Sequence, residues 1–246
     1  MSSMTDASKI GVVPTGVNLR QFRRAREDAR AANATEPLVI FVGSMDWEAN
    51  VDAMDYFCRE IWPSIKAAVP AARLRIVGRN PHARVKKLAS GSIEVTGTVA
   101  SVVEHYQEAA VNIVPLRVGG GTRLKIYEAM AIGKATVSTS IGAEGLDVND
   151  GRDILIADSS ESFADSVIAL LTDASRRERI EKAAEAQAAR YDWPVIADRF
   201  EEVLTHVPRF AVERDAVESM HPGAAVGRRP GSRFKDESAT EGPYRV

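Results

Sequence analysis

Val114-Pro115-Leu116-Arg117-Val118-Gly119-Gly120-Gly121-Thr122-Arg123-Leu124-Lys125-Ile126-Tyr127-Glu128-Ala129-Met130-Ala131 changes character twice within one stretch. The run Val111 to Val114 leads in as a buried strand, and three glycines follow. Apolar residues at Leu124, Ile126, Ala129, Met130 and Ile132 then mark a helix. Strand, glycine loop and helix in that order offer free backbone N–H groups to an anion. Thr122 is a good N-cap for the helix. Arg123 and Lys125 place two cations at the same helix start. Cations are unfavourable at that end of the helix dipole, so helix stability does not explain them. A bound phosphate does: Arg grips it as a fork and Lys acts as a point charge. Glu128 follows Lys125 by three positions on the same face, so a plain helix salt pair is the competing explanation.

Two better-known phosphate motifs fail here. The P-loop needs G-x-x-x-x-G-K-[ST], but Gly133-Lys134 is followed by Ala135 and has Glu128 five residues before its glycine. The dinucleotide fingerprint G-x-G-x-x-G fails because Leu124 stands where its last glycine belongs after Gly119 and Gly121. The loop belongs to another phosphate-binding design.

Outward from this stretch, strand and helix patterns alternate about six times. Leu38 to Val42 is a continuous apolar run ending at Gly43, as expected of a strand buried on both faces in a parallel sheet. A loop leads into a helix with apolar positions at Val51, Met54, Phe57, Ile61, Trp62 and Ile65. Further strands are predicted at 73–78, 93–97, 134–139 and 154–157, with helices at 85–88, 102–106, 123–132, 162–171, 176–190 and 193–207. This pattern predicts an α/β fold with a doubly wound, mostly parallel sheet, and a ligand at the carboxyl ends of the strands. Gly43, Gly78, Gly97 and Gly119 all fall at those ends.

The flanks read differently. Pro14-Thr15-Gly16-Val17-Asn18 signals a turn or linker, and residues 20–36 carry five arginines without apolar periodicity. Residues 221–246 hold three Pro and four Gly with almost no large apolar side chains, a composition that does not offset ordering entropy. The expected division is an N-terminal segment and linker (1–36), an α/β domain (37–207) and a disordered tail (208–246).

Composition narrows the function. Of the 246 residues, 45% are hydrophobic and 27% charged, which is ordinary for a globular protein. A net charge of −2 argues against a general nucleic-acid or membrane-surface binder. The single cysteine, Cys58, excludes a disulfide framework and fits a reducing, cytoplasmic compartment. Four scattered histidines show no metal-ligand spacing, and no apolar run reaches the length of a membrane span. No cofactor and no metal is expected.

The order of these motifs resembles the family-4 glycosyltransferases of the GT-B type, specifically their C-terminal, donor-binding domain, from Pro14 to about Leu204. Pro14-Thr15-Gly16-Val17-Asn18 is similar to the family's interdomain linker, and Phe41-Val42-Gly43-Ser44-Met45-Asp46 to its first strand and loop. Ile76-Val77-Gly78, Val95-Thr96-Gly97-Thr98-Val99 and Val114-Pro115-Leu116 with the glycine loop follow in the family's order. Gly119 to Ala131 is the most specific segment and resembles bacterial exopolysaccharide-type transferases.

The resemblance implies one Rossmann-like GT-B domain that binds a nucleotide-diphosphate sugar for retaining transfer to a saccharide or lipid-linked acceptor. It implies that Arg123 and Lys125 contact the donor diphosphate and act catalytically. Glu128, the second carboxylate of the family's E-x7-E pattern, would hold the ribose hydroxyls. Gly97, Thr98 and Val99 match the base-contacting turn. Gly43, Ser44, Gly119, Gly120, Gly121 and Thr122 would complete the donor site. The first carboxylate of the pattern falls at Gly120 and is absent; Ser44 stands where many relatives carry a phosphate-binding Arg.

The resemblance covers only the second half of a two-domain enzyme. A separate acceptor-domain partner or a homodimer is therefore expected, with donor binding but little turnover by this chain alone. The alternative is a non-catalytic nucleotide-sugar-binding module or half of a split enzyme. The implied location is cytoplasmic, peripheral to the inner membrane through the acceptor.

Overall fold

A computed structural model describes residues 11–19, 22, 36–119, 121 and 123–206. The tail predicted to be disordered, most of the N-terminal segment, and Gly120 and Thr122 lie outside the described residues.

Six strands form one sheet: β1 (Leu38–Val42), β2 (Arg73–Val77), β3 (Ile93–Gly97), β4 (Val111–Val114), β5 (Ala135–Ser138) and β6 (Leu155–Ile156). Every pairing is parallel, in the order β3-β2-β1-β4-β5-β6. β1, β4 and β5 are buried along their whole length, as strands covered on both faces of a parallel sheet are. One polar pair is accommodated there: Asn112 of β4 donates to Thr136 Oγ1 of β5 at 3.2 Å, beneath the surface. The strand order reverses direction between β1 and β4. In an open α/β sheet that switch point leaves a crevice outside the carboxyl ends of its two strands.

The helices are α1 (Glu48–Tyr56), α2 (Trp62–Ala68), α3 (Ala83–Lys86), α4 (Val102–Glu108), α5 (Leu124–Ala131), α6 (Ser160–Thr172), α7 (Ala174–Ala188) and α8 (Trp193–His206). The sequence predicts one helix from 51 to 65, and the structure breaks it. A π turn, Phe57–Ile61, joins α1 to α2. Pro63 stands in the first turn of α2 and has no N–H to continue the ladder, so the hydrogen bonding shifts register ahead of it. Cys58 lies in this turn. Burial pushes its thiol up to about 12, which leaves it inert.

The predicted helix at 123–132 runs from Leu124 to Ala131. Its predicted N-cap, Thr122, is not among the described residues. The cap position belongs to Arg123, which gives no side-chain cap bond because a guanidinium carries donors only; it donates to the Gly121 carbonyl. Residues upstream of the predicted domain start also pack on the core: Val17, Leu19 and Phe22 are buried. Val17 N–H donates to the Tyr191 carbonyl at 2.7 Å, and Leu19 N–H to Asp192 Oδ1 at 3.3 Å.

Candidate functional site

Gly43, Gly78, Gly97 and Gly119 lie at or just beyond the carboxyl ends of β1, β2, β3 and β4. Two of them are required by close approach. A Cβ on Gly78 would sit 1.7 Å from the Gly43 carbonyl oxygen, so the two loops touch backbone to backbone. A Cβ on Gly43 would meet Asn50 Nδ2 and Lys125 Nζ, each at 2.8 Å. The bare backbone after β1 is thus the floor on which the Lys125 ammonium rests.

Lys125 reaches that floor from the first turn of α5. Its Nζ donates to Asn50 Oδ1 at 2.9 Å and lies 4.4 Å from the centroid of the Phe41 ring. Asn50 is buried in the first turn of α1, and its Nδ2 donates to the Ser44 carbonyl at 2.8 Å. Asn50 therefore ties the β1 loop to the helix that follows the glycine loop. No ion pair joins Lys125 to Glu128 among the described residues, so the helix salt pair gives way to a contact across the switch point.

Burial, reinforced by the neighbouring Arg123 charge and opposed by Glu128, lowers the Lys125 ammonium from its ordinary value to about 7. Burial raises the Glu128 carboxyl, and Lys125 offsets part of that. The folded-state value for Lys125 lies below the unfolded one. Between pH about 7 and about 10.5 the unfolded chain holds the extra proton, so the stability contribution of Lys125 improves as pH rises through that window. Below about 7 the full cost of the buried charge is present.

A bound phosphate reverses the balance by favouring the ammonium. Binding of a nucleoside diphosphate at pH 8.5 is expected to take up close to ~1 proton, and affinity to fall as pH rises above about 7. Calorimetry in buffers of different ionisation enthalpy measures this. Zero uptake would place the anion elsewhere.

Arg123 is 4% exposed, tucked beneath the glycine loop. Its Nη1 donates to the Gly121 carbonyl at 2.7 Å, and the guanidinium stands 5.9 Å from the Trp47 ring centroid. Gly119 has φ +136, and a Cβ there would sit 2.6 Å from Arg123 Nη2. The sequence predicts two cations at one helix start. The structure places one under the loop and the other against β1. The entry to the loop is fixed as well. Arg117 donates to both carboxylate oxygens of Asp52, at 3.1 and 2.6 Å, and covers the Tyr56 ring at 4.4 Å.

The structure brings together Gly43, Ser44, Gly119, Gly121, Arg123 and Lys125 at the β1–β4 switch point. Glu128 lies one turn further along α5, half-buried. Gly97, Thr98 and Val99 share the carboxyl edge, but β3 is two strands away from β1, at the rim of the sheet. Asn50, Trp47 and Arg79 were not singled out by sequence reasoning. Asn50 had a signal: it shares a helix face with Met54 and Phe57, where an amide is out of place.

Residues 36–173, more than half of the chain, match the family "Glycosyl transferases group 1". The chain belongs to this family of glycosyltransferases. It is 26% identical over 207 residues to a phosphatidyl-myo-inositol mannosyltransferase of Mycobacterium leprae, an alignment covering 79% of this chain and 53% of that protein. Among solved structures, the C-terminal domain of the group 1 glycosyl transferase LpcC from Francisella tularensis superposes with a TM-score of 0.54 at 17% identity. That superposition covers 72% of this chain and all of that one. HepE from Anabaena, in complex with UDP and glucose, superposes with a TM-score of 0.64 at 15% identity over 80% of this chain and 56% of that one. The fold is the Rossmann-like GT-B domain. The chain spans from 36% to 53% of the length of the first curated relatives it matches. Among the described residues no helix is long and apolar enough to cross a membrane.

Proposed function

We propose that residues 37–207 form the donor-binding domain of a retaining glycosyltransferase that uses a nucleotide-diphosphate sugar. The observation that carries this reading is the convergence of the glycine loop, Arg123 and Lys125 on the Gly-bearing end of β1, at the switch point of the sheet. Lys125 and Arg123 face the diphosphate, with the loop backbone of Gly119, Gly120, Gly121 and Thr122 and the turn at Gly43 and Ser44 around it. As the glycosidic bond breaks, negative charge grows on the leaving diphosphate, and these fixed cations stabilise it. Glu128 accepts hydrogen bonds from the ribose hydroxyls, and the turn at Gly97, Thr98 and Val99 contacts the base. The complexes of HepE with UDP and with UDP-glucose support a donor of this kind.

The proposed acceptor is a saccharide or a lipid-linked acceptor. The M. leprae mannosyltransferase, named for a phosphoinositide acceptor, supports the lipid-linked choice and a peripheral membrane location. Transfer also needs an acceptor-binding surface opposite the donor edge. Trp193, Phe200 and Leu204 are about half exposed along α8, whereas Ile196 of that helix is buried. This apolar face suits an acceptor-binding domain or a second copy of the chain.

Glu128→Gln is expected to weaken UDP binding by roughly tenfold, the scale of a lost charge-assisted bond, and to leave pyrophosphate binding and the melting temperature unchanged. Parallel losses for UDP and pyrophosphate in calorimetric titration would overturn the ribose role.

A further inference from the structure

The turn after β1 holds a second cation besides Lys125, at the Ser44 hydroxyl. Arg79 Nε donates to Ser44 Oγ at 2.8 Å from the loop after β2, 35 residues away in the chain. That loop is stitched to the β1 loop by its backbone. Met45 N–H donates to the Arg79 carbonyl at 3.0 Å, and His82 N–H to the Met45 carbonyl at 3.0 Å. Gly78 lets the two loops meet, since any Cβ there would strike the Gly43 carbonyl. Asn80 adopts φ +50, a left-handed conformation that an asparagine tolerates better than most residues. Its side chain donates to Asp46 Oδ2 at 3.1 Å. The Asn80 amide, with the nearby Arg79 charge, holds the Asp46 carboxyl below its ordinary value, and Arg79 stays exposed to solvent.

The contacts form one chain. Arg79 holds the Ser44 hydroxyl, Asn50 holds the Ser44 carbonyl, and Lys125 holds the Asn50 amide oxygen. Two cations from two distant segments are thus fixed on either side of a single short turn, Gly43-Ser44. We infer that Arg79 is a further diphosphate-binding cation of this site, oriented by Ser44 on the side of the Gly43-Ser44 turn away from Lys125. The inference rests on the donor-site reading above. It assigns Arg79 direct contact with a phosphate oxygen and makes Ser44 a positioning residue. A serine at 44 then fits the site because a long side chain there would compete with Arg79 for the same space.

Calorimetric titration of the full chain with UDP and with inorganic pyrophosphate tests this. Arg79→Ala is expected to lower both affinities by about tenfold to hundredfold, the range of a charge-assisted contact. Arg79→Lys should recover part of the loss, and Ser44→Ala should cost about threefold, without a change in melting temperature. In the Arg79→Ala background, Ser44→Arg should restore part of the affinity, because position 44 lies beside the lost guanidinium. If Arg79→Ala binds both ligands like wild type while Lys125→Ala is impaired, Arg79 is no ligand and the inference fails while the site stands. If neither variant changes affinity, the donor-site reading itself fails.

Discussion

Gly78→Ala is expected to destabilise the domain more than any other single methyl group added in this site. The new Cβ would lie 1.7 Å from the Gly43 oxygen and 2.8 Å from its carbonyl carbon. These are backbone atoms and have no rotamer to retreat into. The two loops would have to separate, breaking the Gly43 N–H bond to the Val77 carbonyl and the Met45 N–H bond to the Arg79 carbonyl, each 3.0 Å long. Overpacking of this kind costs about 3 kcal/mol or more, a large share of a domain stability of roughly 5–15 kcal/mol. In a domain of this size that lowers the melting temperature by roughly 10 °C or prevents folding. Gly91→Ala is the control, since a Cβ there meets nothing within 4 Å, and it should shift stability by no more than about 0.5 kcal/mol. Equal melting temperatures for the two variants would show that the β1 and β2 loops do not pack as described.

The frame of the fold was legible because burial on both faces of a parallel sheet leaves a one-dimensional signature. Leu38 to Val42 and Val111 to Val114 are strands in the sequence and in the structure alike. The parallel pairing was legible through the alternation with helices, but the strand order was not, because more than one order satisfies that alternation. The break at Phe57–Ile61 was not, because apolar spacing continues through a π turn and only the proline at 63 hints at the change.

The site was half legible. The cations at 123 and 125 stood out by their wrong-way charge at a helix start, a local property. What they do was not legible. Lys125 meets Asn50 across 75 residues and Arg79 meets Ser44 across 35, and no periodicity relates such pairs. The plain Lys125–Glu128 pair was the competing local explanation. Tertiary packing turned the ammonium toward β1 instead, where Gly43 leaves room for it.

Loss of Lys125 is expected to have the largest effect on ligand binding. In the folded chain burial and the neighbouring Arg123 lower its ammonium to about 7. A diphosphate supplies the missing counter-charge in a site of low dielectric, where a charge-assisted bond is strong. Lys125→Ala should therefore cost about 1.5–3 kcal/mol of UDP binding, roughly tenfold to hundredfold in affinity. Arg123→Ala should cost a similar amount by a different route. Its guanidinium braces the Gly121 carbonyl from below, so the variant loses both positive charge and the shape of the glycine loop. The two effects need not add if, as proposed, both cations serve one anion. The central claim is a diphosphate held at the β1–β4 switch point, and calorimetric titration of UDP into wild type and the Arg123→Ala/Lys125→Ala double variant tests it most directly. The account predicts measurable binding by the wild type and none, or at least a hundredfold loss, in a double variant that still melts cooperatively; equal affinity in the two proteins would contradict it.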